Sequence, residues 1–249
     1  MKAIILAAGR GSRMHSLTDH QPKCLTELDG KTLLEWQKIA LNAAGIVKIV
    51  VVAGYKSSLL KGTLEVLENK RWAETNMVRT LLAASEILKN NNVIISYSDI
   101  VYNSEHIKKL MDEPSDIAIC YDQLWFELWA LRFSNPLLDA ETFEAKNGML
   151  TDIGSKTDDV DRIKGQYMGL LKISPLGWKK ISNVLQALPD ETIDKLDMTS
   201  MLALLLKEKI DVNVVAVSGQ WCEVDTPTDL KKYELALHTQ DNWAHDWRG

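Results

Sequence analysis

Ile5-Leu6-Ala7-Ala8-Gly9-Arg10-Gly11-Ser12-Arg13-Met14, with Gln21-Pro22-Lys23 close behind, decides how the rest of this chain is read. An apolar run opens directly into glycines, arginines and a serine. Gly9 and Gly11 lack a Cβ, so the backbone there can curl and turn successive N–H groups toward one point. A helix following at once would add its N-terminal dipole to the same anion site. Arg10, Arg13 and Lys23 bring positive charge suited to a ligand with several phosphates. The plainer reading is a tight turn after a strand. Two other phosphate loops do not fit: the dinucleotide fingerprint needs glycine or alanine where Met14 stands, and the P-loop needs Gly-Lys-Ser/Thr.

Composition narrows the field. A chain of 249 residues, 46% hydrophobic and 25% charged, suits one large soluble α/β unit or a domain with a small lobe. The formal net charge of −5 argues against a nucleic-acid partner, so any phosphate-binding charge has to be local. Cys24, Cys120 and Cys222 are widely spaced, with no CxxC, and read as reduced, buried thiols rather than nucleophiles. Met1–Leu6 is too short for a signal peptide and reads as the first strand; no run is long enough for a membrane span. A cytoplasmic protein without a membrane partner is expected.

Short apolar runs alternate with periodic segments, the pattern of a mainly parallel sheet flanked by helices. Strands are expected over 2–7, 48–53, 92–97, 116–121 and 212–217. Helices are expected over 32–44, 57–69, 75–89, 174–187, 199–209 and 226–238. Between roughly 122 and 172 the segments shorten, aromatic and polar residues mix, and Asn147-Gly148 signals a hairpin. This stretch reads as an antiparallel extension of a single unit covering 1–249. Trp243 and Trp247 in the polar tail either dock on the body or meet a second copy in a homodimer.

The motif Leu-Ala-Ala-Gly-x-Gly-Ser-Arg with a downstream Pro-Lys resembles the signature loop of the nucleotidyltransferases, which join a nucleoside triphosphate to a phosphorylated acceptor. The resemblance implies a Rossmann-like fold and a triphosphate site on Leu6, Ala7, Ala8, Gly9, Arg10, Gly11, Ser12, Arg13 and Lys23. It also implies Mg²⁺ on two carboxylates. Asp99, after the strand 92–97, and Asp225, in Trp221-Cys222-Glu223-Val224-Asp225-Thr226-Pro227, stand where such ligands belong; alone, each reads equally as a solvated turn or a helix cap. The family usually has Gly-Asp where this chain has Ser98-Asp99, and the loop lacks a proline common in the sugar enzymes.

Glu74-Thr75-Asn76-Met77-Val78 looks like the base-reading element of bacterial cytidylyltransferases of the phosphocholine and phosphoglutamine type, with Asn76 at a helix start. Ile94–Tyr102, Glu127-Leu128-Trp129, Arg132-Phe133-Ser134-Asn135-Pro136, Asp139-Ala140-Glu141-Thr142 and Gln166-Tyr167-Met168-Gly169-Leu170 resemble the same branch. What the resemblance implies is CTP and a small phosphorylated acceptor, with a product for cell-surface polysaccharide. Trp125, Trp129, Tyr167 and Trp221, with Glu127 as counter-charge, are candidates to wall a pocket for an ammonium group; packing is the plainer role for each tryptophan. Lys156 resembles the family lysine that meets the acceptor phosphate, and Arg132 is a second candidate. A sugar-1-phosphate uridylyl- or thymidylyltransferase and a non-catalytic nucleotide sensor are the alternatives.

Overall fold

In the computed structural model, which describes residues 1–62 and 64–249, nine strands form one mixed sheet. The first half of the chain supplies β1 (Lys2–Ala7), the short β2 (Glu27–Leu28) and β3 (Lys31–Thr32), α1 (Leu33–Ala43), β4 (Ile49–Ala53) and β5 (Glu65–Glu68). Next come α2 (Met77–Leu82), α3 (Ser85–Asn90), β6 (Val93–Tyr97), β7 (Ile100–Tyr102), α4 (Ser104–Asp112) and β8 (Ile117–Asp122). The remainder supplies α5 (Trp125–Arg132), β9 (Glu141–Lys146), β10 (Met149–Lys156), β11 (Gln166–Ile173), α6 (Pro175–Gln186), α7 (Asp190–Lys195) and α8 (Met198–Lys207). It closes with β12 (Asn213–Val217), β13 (Trp221–Glu223) and α9 (Pro227–Thr239).

The strand order is β5-β4-β1-β6-β11-β8-β12-β10-β9. β5, β4, β1 and β6 run parallel; β11 is inserted antiparallel between β6 and β8. Alternation explains the continuous apolar runs. Ala3, Ile5 and Ala7 of β1 face one core with α1, α4 and α9, while Ile4 and Leu6 face the other with α2, α3, α6 and α8. Strands covered on both faces need no polar side.

The strands expected over 2–7, 48–53, 92–97, 116–121 and 212–217 form within a residue or so of those bounds. Helix α1 starts on a capping box, in which the Thr32 hydroxyl and the Glu35 carboxylate each accept the other residue's backbone N–H. The hairpin is also present: Asn147 and Gly148 have φ of 52° and 76° and join β9 to β10. Two expectations need correction. Among the described residues of the stretch 57–69, Ser57–Leu60 is a 3₁₀ turn and β5 extends the sheet by pairing with β4, where a helix was expected. Residues 75–89 form two short helices, α2 and α3, broken at Ala83-Ala84. In the stretch 122–172 the antiparallel extension is present as expected: β9, β10 and β11 join the main sheet through antiparallel pairing, and α5 precedes them. In the tail, Trp247 is buried edge-on against Trp36, and Trp243 lies on Tyr233, so both tryptophans dock on their own chain. Among the described residues no helix is long and apolar enough to cross a membrane.

Gly169 fixes the position of an aromatic ring beside the cleft described below. Its φ is +74°, and a Cβ there would lie 2.6 Å from the Tyr97 ring. Gly169→Ala is therefore expected to destabilise the protein by about 1–3 kcal/mol, read from urea unfolding, by backbone strain plus displacement of Tyr97. A change below about 0.5 kcal/mol would show that the ring moves freely.

Candidate active site

The glycine loop leaves β1 and enters 3₁₀ turns over Ser12–Thr18, kinked at His15 (φ 50°, ψ −128°). No α-helix follows, so the expected helix dipole does not contribute. Charge comes from side chains instead. Gly11 sits at φ +69°, and a Cβ on it would come within 2.8 Å of the Lys23 side chain. The glycine thus does two things: it permits the turn, and it lets Lys23 pass beneath the loop into the protein.

Lys23 is nearly buried, and its Nζ lies 2.9 Å from Asp99 Oδ2 and 2.8 Å from Asp225 Oδ1. Arg13, largely exposed, reaches the same Asp225 Oδ1 at 2.8 Å. Behind them Arg132, fully buried, donates to Asp225 Oδ2 at 2.8 Å and to Glu223 Oε2 at 2.6 Å. Asp99, Glu223 and Asp225 bring carboxylate oxygens within 4.8 Å of one another.

Backbone pairing creates this meeting of distant residues. β7 and β13 pair antiparallel with Ile100 opposite Glu223, and Val224 N donates to Asp99 O at 2.8 Å. Buried Gln37 of α1 donates to the carbonyls of Tyr97 and Ile100 at 2.9 and 2.6 Å, bracing the turn that carries Asp99. Asp229 Oδ2 accepts from the backbone N–H of Asp225 and Thr226 at the start of α9. Thr226, not Asp225, is the cap of that helix. Ser98 keeps a negative φ, so a serine serves where the family commonly has glycine.

Charge follows from this packing. Burial alone would lower the Lys23 pKa, but Asp99 and Asp225 outweigh it and raise it. Burial would raise that of Asp225, yet Lys23, Arg132 and Arg13 hold it low. The Glu223 carboxyl is pushed up to about 7 by burial and by the Asp225 charge, against the pull of Arg132. Cys24, beside Lys23, is buried with its thiol pushed up to about 12, as an inert side chain should be.

A cleft of about 270 Å³ opens over this cluster, lined by Leu6, Ala8, Gly9, Gly11, Ser12, Arg13 and Lys23 from the loop side. Met77 and Thr80 of α2 and Tyr97, Ser98 and Asp99 complete it. Hard oxygen ligands suit Mg²⁺, and Asp99 Oδ1 is buried with no hydrogen-bond partner among the described residues, so the donor set fits a divalent ion.

Other expected site residues lie elsewhere. Ala7 is buried in the core under the loop. Arg10 turns outward to Asp19 at 2.7 Å. Asn76 is consumed as the cap of α2: its carbonyl oxygen accepts from Met77 N and its amide donates to Lys195 O. Trp125, Trp129 and Trp221 are buried, with Trp129 at a ring-centroid distance of about 6.2 Å from each of the other two, so they pack on one another. Glu127 is exposed on α5. Arg132 is not a surface group awaiting a phosphate; three carboxylates already surround it. Lys156 is exposed on β10, its Nζ 2.6 Å from Asp139 O and 3.8 Å from Glu141. Tyr167 meets Tyr97 edge-on at 5.8 Å, next to the cleft. Met77 belongs to the element quoted with Asn76, whereas Glu223, Thr80 and Tyr97 had not been expected. For Glu223 a signal existed, since residues two apart in an extended segment share a face with each other, here with Asp225.

The model of the MobA-like NTP transferase domain matches residues 3–149. The chain belongs to that family. It is a nucleotidyltransferase. A CTP:phosphoglutamine cytidylyltransferase of Campylobacter jejuni is 36% identical over 248 residues, covering 93% of this chain and 98% of the relative. A 2-aminoethylphosphonate cytidylyltransferase of Lancefieldella rimae is 35% identical over 125 residues, 48% of this chain and 49% of its own. The fold matches the inositol-1-phosphate CTP transferase of T. maritima with a TM-score of 0.77 at 21% identity, over 98% of this chain and 97% of that one.

Two outcomes follow for the transferase. Removing Arg132 leaves buried carboxylates unpaired, so Arg132→Leu is expected to cost about 3–5 kcal/mol in urea unfolding, far more than loss of a surface ion pair. A cost below about 1 kcal/mol would mean that the network is not held by this guanidinium. Glu223, with its folded pKa raised from the ordinary carboxylate value to about 7, adds stability that is complete at low pH and is lost as pH rises through 7. The difference in melting temperature between the metal-free protein and Glu223→Gln should therefore shift against the wild type between pH 5 and 8. A pH-independent difference would refute the elevated pKa.

Proposed function

We propose that the protein is a Mg²⁺-dependent cytidylyltransferase that moves CMP from CTP to a small phosphorylated, nitrogen-bearing acceptor and releases pyrophosphate. The observation that carries this reading is the convergence of Lys23, Arg13, Asp99 and Asp225 at one end of the glycine-loop cleft. Support for cytidine comes from the relatives that use CTP, the first of them spanning nearly the whole chain.

Such a reaction asks for positioning and charge neutralisation more than for covalent chemistry by the protein. The loop glycines and Ser12 would cradle the triphosphate, with Arg13 and Lys23 as its cations. Asp99 and Asp225 would hold Mg²⁺, which when bound offsets the negative charge of the phosphates. The acceptor's phosphate oxygen attacks the α-phosphorus, the bond from that phosphorus to the β-phosphate oxygen breaks, and pyrophosphate leaves. Arg132 keeps Asp225 aimed without touching substrate. Lys156 is proposed to meet the acceptor phosphate. Glu141, 3.8 Å from the Lys156 amine, is the carboxylate proposed to face the acceptor's amino group.

The direct test pairs each of four nucleoside triphosphates with phosphocholine, phosphoglutamine, 2-aminoethylphosphonate and glucose 1-phosphate, reading pyrophosphate release. CTP with a nitrogen-bearing acceptor should dominate; UTP or dTTP with the sugar phosphate doing as well would refute the cytidylyl reading. Asp99→Asn and Asp225→Asn should each lower kcat by about two to three orders of magnitude in a folded protein. Arg13→Ala should raise KM chiefly for CTP and Lys156→Ala chiefly for the acceptor. Intact acceptor kinetics in Lys156→Ala would remove that lysine from the site.

A further inference from the structure

We propose that Thr80 is the residue that distinguishes cytosine from uracil, its hydroxyl held as a hydrogen-bond donor by Asn69. This inference rests on the CTP reading above. The cleft's lining is of two chemical kinds. Arg13, Lys23 and Asp99 are ionic, which suits the phosphates; Leu6, Ala8 and Met77 are apolar, which suits the base. Thr80, on α2 with Met77, brings a side-chain hydroxyl to the same lining.

Its polarity is set from behind. Asn69, nearly buried, donates from Nδ2 to Thr80 Oγ1 at 3.1 Å and to Thr75 Oγ1 at 3.0 Å. Its Oδ1 accepts from Arg71 N at 3.0 Å. Turning the amide over would set NH₂ against that backbone N–H, so the orientation is forced. The Thr75 hydroxyl has already spent its proton on Arg71 O at 2.8 Å. Thr80 Oγ1 is thus an acceptor toward Asn69, and among the described residues its own proton has no partner. A hydroxyl in that state offers a donor to whatever occupies the cleft.

The two pyrimidines differ at N3: cytosine carries a bare lone pair there and uracil carries N–H. The Thr80 proton pairs with the first; toward the second the hydroxyl can accept only on its remaining lone pair, which leaves its proton unsatisfied in a buried setting. Asn76, from the same segment, cannot do this because both ends of its amide are engaged at the start of α2.

The test is calorimetric binding of CTP and of UTP, each with Mg²⁺ and no acceptor, to the wild type, Thr80→Val, Thr80→Ser and Asn69→Asp, with melting temperatures as the folding check. The wild type should bind CTP more tightly. Thr80→Val keeps the shape but removes the donor, and should reduce the UTP-to-CTP ratio of Kd by about 10-fold or more. Thr80→Ser should preserve the ratio. Asn69→Asp would draw the Thr80 proton onto the new carboxylate and present a lone pair instead, so it should also lower the ratio, and it serves if Thr80→Val does not fold. A wild type that binds both nucleotides equally overturns the cytidylyl reading and this assignment with it. A wild-type preference that survives in Thr80→Val, or a loss equal for both nucleotides, overturns only the role of Thr80.

Discussion

The carboxylate of Asp225 is the point on which the site depends. One oxygen accepts Lys23 and Arg13, the other accepts Arg132, and the residue itself is almost buried. Buried charges are costly to desolvate, and replacing such a network with apolar residues is often neutral or stabilising. Its value therefore lies in geometry. Three cations from three parts of the chain converge on one carboxylate and hold Asp99 and Glu223 within reach of it. Removing any one of them exposes the others to unpaired charge.

That network is tied to the fold through backbone groups rather than through more side-chain charge. The β7–β13 pairing sets Ile100 opposite Glu223, Gln37 braces the Tyr97–Ile100 turn from α1, and Asp229 fixes the chain as it enters α9. The links are hydrogen bonds in buried or half-buried settings, where an unmade bond costs more than a made one contributes. The site's precision thus comes from elements that carry no catalytic group. Buried Arg132 illustrates this: surrounded by Glu223, Asp225 and Asp229, it orients carboxylates from the interior.

The cleft above the network divides its labour between an ionic floor and an apolar wall. The loop from β1 offers small residues that let a ligand approach the backbone, while α2 contributes Met77 and Thr80 one helical turn apart. A short helix suffices for this because its start is anchored twice over, by the Asn76 cap and by Asn76 N bonding to Asp194 O.

Much was legible from the chain alone. Runs of β-branched residues covered on both faces announce a parallel sheet, the glycines after the first apolar run announce a tight turn, and Thr32 followed by Glu35 announces a helix start, because each of these signals is local. Residues 57–69 misled because Leu59, Leu60 and Leu64 allow a helical spacing, whereas pairing with β4 fixes Glu65–Glu68 as a strand. The aromatic residues misled for a related reason: composition names a tryptophan but not which surface covers it, and Trp125, Trp129 and Trp221 cover one another. Local pattern determined the sheet and the loop, while Asp99 and Asp225 stood out only through resemblance to a family, since alone each reads equally as a turn or a cap. Only the tertiary structure decided that Lys23 lies between those carboxylates, that Arg132 sits behind them and that Asn69 sets the polarity of Thr80. These are relations between residues far apart in the chain or between side chains packed against each other, and the one-dimensional pattern carries no distance across the fold.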